Sequence, residues 1–406
     1  MRDLSIYIHI PFCVRKCLYC DFLSSTASVG EITSYVNLLA QEMEEQAVLY
    51  RDHRVVSVFL GGGTPSLLSA EETERILQAV RENYRMTDGA EITMECNPGT
   101  VTAEKLENYV TYGINRLSIG LQSTQDEELV RIGRIHDYEM FRNTYHAARK
   151  AGFANINIDL MAALPGQSIA SYRESLERVA DLAPEHISAY SLILEEGTPL
   201  HDRKEQYRFP TEKEDREMYR MTKEYLGERG YQRYEISNYA REGFACRHNQ
   251  VYWRRGDYVG FGLGAASMVR DVRWSVPRKM EVYRDYVEGM RGRMESMARQ
   301  RDGLQQMLTE AQGQERQLLY QYFPDAHVLT VKEQMEEFMF LGLRMMCGVD
   351  CRVFRDKFGR EMEAVYGPVI EKMKSQGLLQ KEDEYIKLTD RGIDVSNYVM
   401  AEFLFD

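Results

Sequence analysis

The sequence predicts an α/β fold, an open or partial (βα)6 barrel followed by a smaller C-terminal domain of helical, winged-helix-like character. Three observations predict it. Six short apolar runs alternate with helical stretches over the first half of the chain. The runs, such as Val55-Val56-Ser57-Val58-Phe59-Leu60, are nearly continuous in apolar character, as in a parallel sheet covered by helices. From 334 to the end, a helical pattern is followed by a hairpin and a last helix.

In chain order, strands are expected at 4–10, 55–60, 90–96, 115–120, 154–160 and 185–191. Helices are expected near 31–50, 69–85, 102–112, 137–151 and 168–182. Ser69-Ala70-Glu71-Glu72 reads as a capping box, and Thr102 stands just before a helical pattern. In sheets of this kind, ligands bind beyond the carboxyl ends of the strands. Residues 1–245 are expected to form the barrel with an extension, 246–333 a variable helical linker, and 334–406 the C-terminal domain. Within the linker, Arg291-Gly292-Arg293-Met294 opens a stretch to 322 rich in Gln, Arg and Met. Apolar Met297, Leu304, Leu308, Ala311 and Leu318 are spaced there as on an amphipathic helix. Glu336 to Arg344 reads as helix, Leu378 to Thr389 as a hairpin, and a final helix starts near Asp390.

The 406 residues are 44% hydrophobic, enough for a substantial core. The net charge of −12 excludes a broadly basic nucleic-acid surface. No apolar run reaches the ~18 residues that span a bilayer. Met1-Arg2-Asp3 leads straight into a strand, without the pattern of a signal peptide. Seven cysteines in such a chain point to a reducing cytoplasm.

Cys13-x3-Cys17-x2-Cys20 follows the run Leu4 to Ile10. Three closely spaced thiols fit a cubane iron–sulfur cluster with one iron free of protein, since thiolate and Fe–S iron are both soft. Phe22 occupies the fourth candidate position, which leaves a coordination site open for chemistry. Zinc, a disulfide framework and plain thiols are the alternatives. Structural zinc would need a second half-site, and disulfide frameworks suit small secreted chains. Cys347-x3-Cys351 lacks a third thiol.

Polar groups recur at the expected strand ends. Gly61-Gly62-Gly63-Thr64 lets backbone approach a ligand closely, or makes an ordinary tight turn. Glu95 can bond an amine or a ribose, or end a strand in solvent. Gln122 and Asp159 end the fourth and fifth strands. Arg134, in Gly133-Arg134-Ile135-His136, can clamp a carboxylate bidentately.

Tyr7-Ile8-His9-Ile10-Pro11-Phe12-Cys13 with C-x3-C-x2-C resembles the start of a radical S-adenosylmethionine (SAM) protein. More narrowly, it resembles the branch holding oxygen-independent coproporphyrinogen III oxidases and haem chaperones. The resemblance runs from the N-terminus to Trp253 and again from Gln334 to the end. It implies a partial (βα)6 radical SAM barrel whose Cys13, Cys17 and Cys20 hold a [4Fe-4S] cluster. By it, Tyr7, Gly62, Gly63, Thr64, Glu95, Gln122, Arg134 and Asp159 match SAM-contacting positions.

Within the branch, the oxidase motif carries a further cysteine where Phe22 stands, and it follows a longer N-terminal extension. His248-Asn249-Gln250-Val251-Tyr252-Trp253 instead matches the HNxxYW motif of the chaperones. His248 is a candidate axial ligand for haem b iron, with Cys246 a lesser one, and Tyr252 and Trp253 candidate walls of a porphyrin pocket. The alternative is a packed turn with a hydrogen-bonded histidine and two core aromatics. His9 reads as a barrel or cluster-neighbour residue. The resemblance implies a cytoplasmic haem chaperone, peripheral at the membrane while passing haem to a respiratory haem protein. An electron donor such as flavodoxin or ferredoxin and a homodimer fit the same group. The runner-up is an enzyme, the oxidase that decarboxylates coproporphyrinogen III.

Overall fold

The structure is a computed structural model and describes residues 1–294, 322–323 and 325–405. Six strands pair in parallel and in chain order: β1 (Arg2–Ile10), β2 (His53–Gly62), β3 (Met86–Cys96), β4 (Arg116–Gln122), β5 (Ile156–Ala162) and β6 (His186–Ser191). Between them run α1 (Val29–Gln46), α2 (Ala70–Asn83), α3 (Ala103–Thr111), α4 (Asp126–Arg131), α5 (Tyr138–Ala151) and α6 (Ile169–Asp181). The expected alternation is present; the six-residue α4 is an addition, too short to show a helical period.

Local chemistry sets these ends. Ser69 Oγ accepts from the Glu72 amide at 3.1 Å and Glu72 Oε2 accepts from the Ser69 amide at 2.9 Å, the reciprocal box expected there. Thr102 Oγ1 caps α3 through the Lys105 amide. Gly152 closes α5 in the left-handed region, at φ 106°. Leu4, Ile6, Ile8 and Ile10 of β1 are fully buried, and so are Leu39 and Met43 of α1, which join them in one core.

The barrel is partial. Beyond β6 the sheet continues antiparallel through β8 (Asn238–Ala240) to β7 (Gln232–Arg233). At the other edge β9 (Tyr258–Phe261) lies parallel to β1. Then β10 (Ala266–Val269), β11 (Val272–Ser275) and β12 (His327–Val328) follow antiparallel. Among the described residues this makes one twelve-stranded sheet in which β1 and β6 are not neighbours. It runs through the boundary expected at 245, because β9 returns to the first strand. Met297, Leu304, Leu308, Ala311 and Leu318, expected on an amphipathic helix, lie outside the described residues.

The C-terminal part has its own core of Met339, Phe354, Met373, Ile386 and Phe403. Its first helix, Val331–Gly342, starts earlier than expected because Thr330 and Glu333 form a capping box. Strands Leu379–Glu382 and Tyr385–Leu388 make the expected hairpin, and short helices Asp390–Asp394 and Ser396–Ala401 follow it. This unit is fastened to the barrel by buried charge. Arg255 Nε donates to Glu337 Oε2 at 2.9 Å, Arg255 Nη1 to Asp271 at 2.7 Å, and Arg273 pairs with Glu337 at 2.8 Å. Among the described residues, no helix is long and apolar enough to cross a membrane.

Candidate functional site

A cavity of about 640 Å³ opens at the carboxyl ends of β1–β6, within the range of small-molecule sites. Alternation along the strands builds its wall. Arg116, Ser118, Gly120 and Gln122 of β4 are spaced by two and all line it, as do Asn157, Asp159 and Met161 of β5. Every cysteine of the C-x3-C-x2-C motif lines the mouth.

The loop that carries these cysteines is tied down by backbone. The Cys13 amide donates to Ser25 O at 2.9 Å, Ser25 N to Pro11 O at 2.8 Å, and Leu18 N to Ile132 O at 3.0 Å. The three thiols are unpaired and partly exposed. Thr64 Oγ1 donates to Cys13 Sγ at 3.5 Å and Arg134 Nη1 to Cys17 Sγ at 3.7 Å, so both sulfurs face hydrogen-bond donors of the barrel. Gly63 passes close by: a Cβ there would lie 2.7 Å from Phe12 O and 3.0 Å from Cys13 Sγ. Among the described residues, no three His, Cys, Asp or Glu side chains converge on a single-ion site; the thiols ring the cavity mouth instead. Phe22, 60% exposed, stands at the rim.

Farther in, Glu95 Oε2 accepts from the Gly62 amide at 3.1 Å, where Gly62 has φ 114° and no room for a side chain beside the His9 ring. Burial, with Asp159 adding to it, pushes the Glu95 carboxyl up to about 8. Burial also raises Asp159, which accepts from Asn157 Nδ2 at 2.8 Å. Arg134 Nη2 donates to Asn97 Oδ1 at 2.6 Å, while its buried Nε has no partner. Gln122 sits at φ 73°, strained for a non-glycine, and accepts from Tyr190 at 3.3 Å. Tyr7 lines the wall and reaches His9 Nδ1 at 3.0 Å, while His9 Nε2 lies 2.8 Å from Leu23 O.

The structure brings Tyr7, Thr64, Glu95, Gln122, Arg134, Asp159 and His248 to one cavity, with Gly62 and Gly63 beside it. Asn97, Arg116 and Tyr190 join them and were missed. Asn97 and Tyr190 extend the two-residue polar alternation of Glu95 and Ser188, a signal that could have found them, whereas Arg116 opens its strand and gives none.

His248 and Tyr252 share a face of the helix Arg247–Trp253 and line the cavity. His248 Nδ1 lies 3.0 Å from Ser57 Oγ and Nε2 2.8 Å from the Tyr252 hydroxyl, with the ring stacked on Phe59 at 5.1 Å. Burial pushes this imidazole down to about 3, so it is neutral in ordinary solution. Two expectations need correction. Trp253 does not line the cavity; a residue past Tyr252 it turns about 100° away and lies under Arg344 at 4.2 Å. Cys246 is buried against Glu91 at 3.5 Å, outside the cavity lining.

The radical SAM superfamily model matches residues 7–179, and the HemN C-terminal domain model matches residues 329–395. A protein of Lactococcus lactis subsp. lactis named heme chaperone HemW is 33% identical over 404 residues, which cover 99% of this chain and 97% of that one. A heme chaperone HemW of Bacillus subtilis is 32% identical over 403 residues, covering 98% and 99%. Among solved structures, coproporphyrinogen III oxidase (HemN) from Escherichia coli superposes with a TM-score of 0.80 at 23% identity, covering 99% of this chain and 90% of that one. At that identity the superposition speaks for the fold.

Proposed function

The chain belongs to the heme chaperone HemW family of radical SAM proteins, and from that premise we propose that it binds haem b and passes it to an acceptor haem protein. The observation that carries the reading is the end-to-end match to two heme chaperones, which spans barrel and C-terminal domain alike. The radical SAM family implies a [4Fe-4S] cluster and SAM. The residues present fit both: three free thiols at one mouth, a glycine cradle beside Cys13, and a buried guanidinium nitrogen of Arg134 without a partner.

Cys13, Cys17 and Cys20 would hold the cluster, and Phe22 supplies no fourth ligand. Glu95 would take the amino group of SAM and Arg134 its carboxylate, while Gln122 and Asp159 would bond its remaining polar groups. Gly62, Gly63 and Thr64 keep the backbone close, and Tyr7 closes the wall. When bound, the cluster and SAM together supply one-electron reductive chemistry at a sulfonium. His248 is the proposed iron ligand, reached when its Nε2 leaves Tyr252. The acceptor is proposed to be a respiratory haem protein met at the membrane surface by a cytoplasmic chaperone. Flavodoxin or ferredoxin would be the electron donor, and a homodimer the assembly.

Oxygen-independent coproporphyrinogen oxidation is the second reading, favoured by the HemN-like fold and opposed by Phe22. An anaerobic assay of the cluster-reconstituted protein with SAM, reductant and coproporphyrinogen III, beside a haem titration, separates the two. Saturable haem binding without protoporphyrinogen is expected. Protoporphyrinogen formation, or no haem binding, overturns the chaperone reading.

A further inference from the structure

Arg116 opens β4 and is the deepest of the four β4 residues on the cavity wall. It is 2% exposed, yet among the described residues its side chain has no hydrogen bond and no ion pair, and its Nε is a buried donor without a partner. The neighbouring acids are engaged elsewhere. Glu91 accepts from the amides of Arg247 at 3.1 Å and His248 at 3.2 Å, and from Cys246. Asp159 accepts from Asn157 and from Ser118 Oγ at 3.5 Å. Burial works against the Arg116 charge, and Cys246, Glu91, Tyr234 and Asp159 work for it, so the group stays cationic.

A buried cation without a partner is costly, and natural proteins pair such groups or use them. This one faces a cavity open at its far end to solvent, and guanidinium matches carboxylate in a bidentate fork. We propose that Arg116 is the seat for a carboxylate of the ligand at the cavity floor, and that this carboxylate is a porphyrin propionate. Haem would then enter edge-first, one propionate down, with His248 and Tyr252 alongside on the same wall. The inference rests on the haem-binding reading. The other carboxylate source is the amino-acid end of SAM, which Arg134, bonded to Cys17 nearer the mouth, would take.

The test uses the full-length, cluster-reconstituted chain, with haem and haem dimethyl ester as probes and SAM binding measured in parallel by equilibrium dialysis. Esterification removes the negative charge without touching the protein. Haem is expected to bind roughly 10- to 100-fold more tightly than its ester, the span of one charged hydrogen-bonded pair. Arg116→Gln should remove that preference, Arg116→Lys should restore part of it, and SAM affinity should not change. Arg116→Lys keeps the positive charge that Glu91 and Asp159 favour and should unfold near the wild-type midpoint, so its partial ester preference reads the seat and not the fold. Equal binding of haem and ester by the wild type overturns the inference while leaving haem binding intact. Loss of SAM binding in Arg116→Gln with the ester preference unchanged reassigns the carboxylate to SAM and also overturns it. Absence of haem binding in the wild type removes the chaperone reading itself.

Discussion

The Nε2 of His248 lies 2.8 Å from the hydroxyl of Tyr252, one turn further along the same helix. This contact occupies the nitrogen that would coordinate iron, and Ser57 occupies the other. Tyr252→Phe should therefore act in two directions. It leaves a buried ring nitrogen unmatched, lowering unfolding free energy by about 1–2 kcal/mol in urea titration. It also frees Nε2, so haem affinity should rise several-fold. Unchanged affinity would remove His248 as the ligand.

Glu95 gives the ligand-free protein a pH signature. Its carboxyl is raised from 4.5 to about 8, chiefly by burial, so the folded state holds a proton that the unfolded state releases. The associated stability is complete below about pH 4.5 and is lost as pH rises to about 8. Glu42, raised to about 8 by burial, adds the same trend. Glu95→Gln should flatten the pH dependence of the urea midpoint between these limits. A slope equal to the wild type would show that Glu95 is not protonated in the folded apo-protein.

Gly63→Ala should spare the fold and damage the cluster. The added Cβ meets Phe12 O at 2.7 Å and Cys13 Sγ at 3.0 Å, so the cysteine loop has to shift. Iron and sulfide per chain after reconstitution should fall well below wild type, with the far-ultraviolet circular dichroism unchanged. Full cluster content in this variant would mean that the loop yields easily.

Glu337 joins two arginines across the barrel and the C-terminal unit, and its side chain is 6% exposed. Glu337→Gln leaves Arg255 with Asp271 alone and should cost about 3 kcal/mol of stability, the lower end for breaking a buried pair. Chemical unfolding followed at both Trp253 and Trp274 would measure it. A loss below 1 kcal/mol, the scale of a surface pair, would count against a structural role for the clasp.

The six barrel strands and the longer helices between them were legible because apolar runs and capping residues are local signals. The cysteine motif, the glycines and the acids at strand ends were legible for the same reason. Arg116 was not, because an arginine opening a strand reads as a solvated edge until neighbouring strands close over it. Trp253 was misplaced because adjacency in a motif suggests adjacency in space. On a helix His248 and Tyr252, four apart, share a face, and the next residue points elsewhere. The strands β9 to β12 escaped notice because they are two to four residues long and the first of them, β9, owes its pairing to the distant β1.

The helix Arg247–Trp253 has one face on the cavity and, through Trp253 beneath Arg344, another on the C-terminal unit. A ligand that displaces it does work on both. By thermodynamic linkage, if a ligand in the cavity changes the affinity of the C-terminal unit for another protein, that protein changes the ligand's affinity by the same factor.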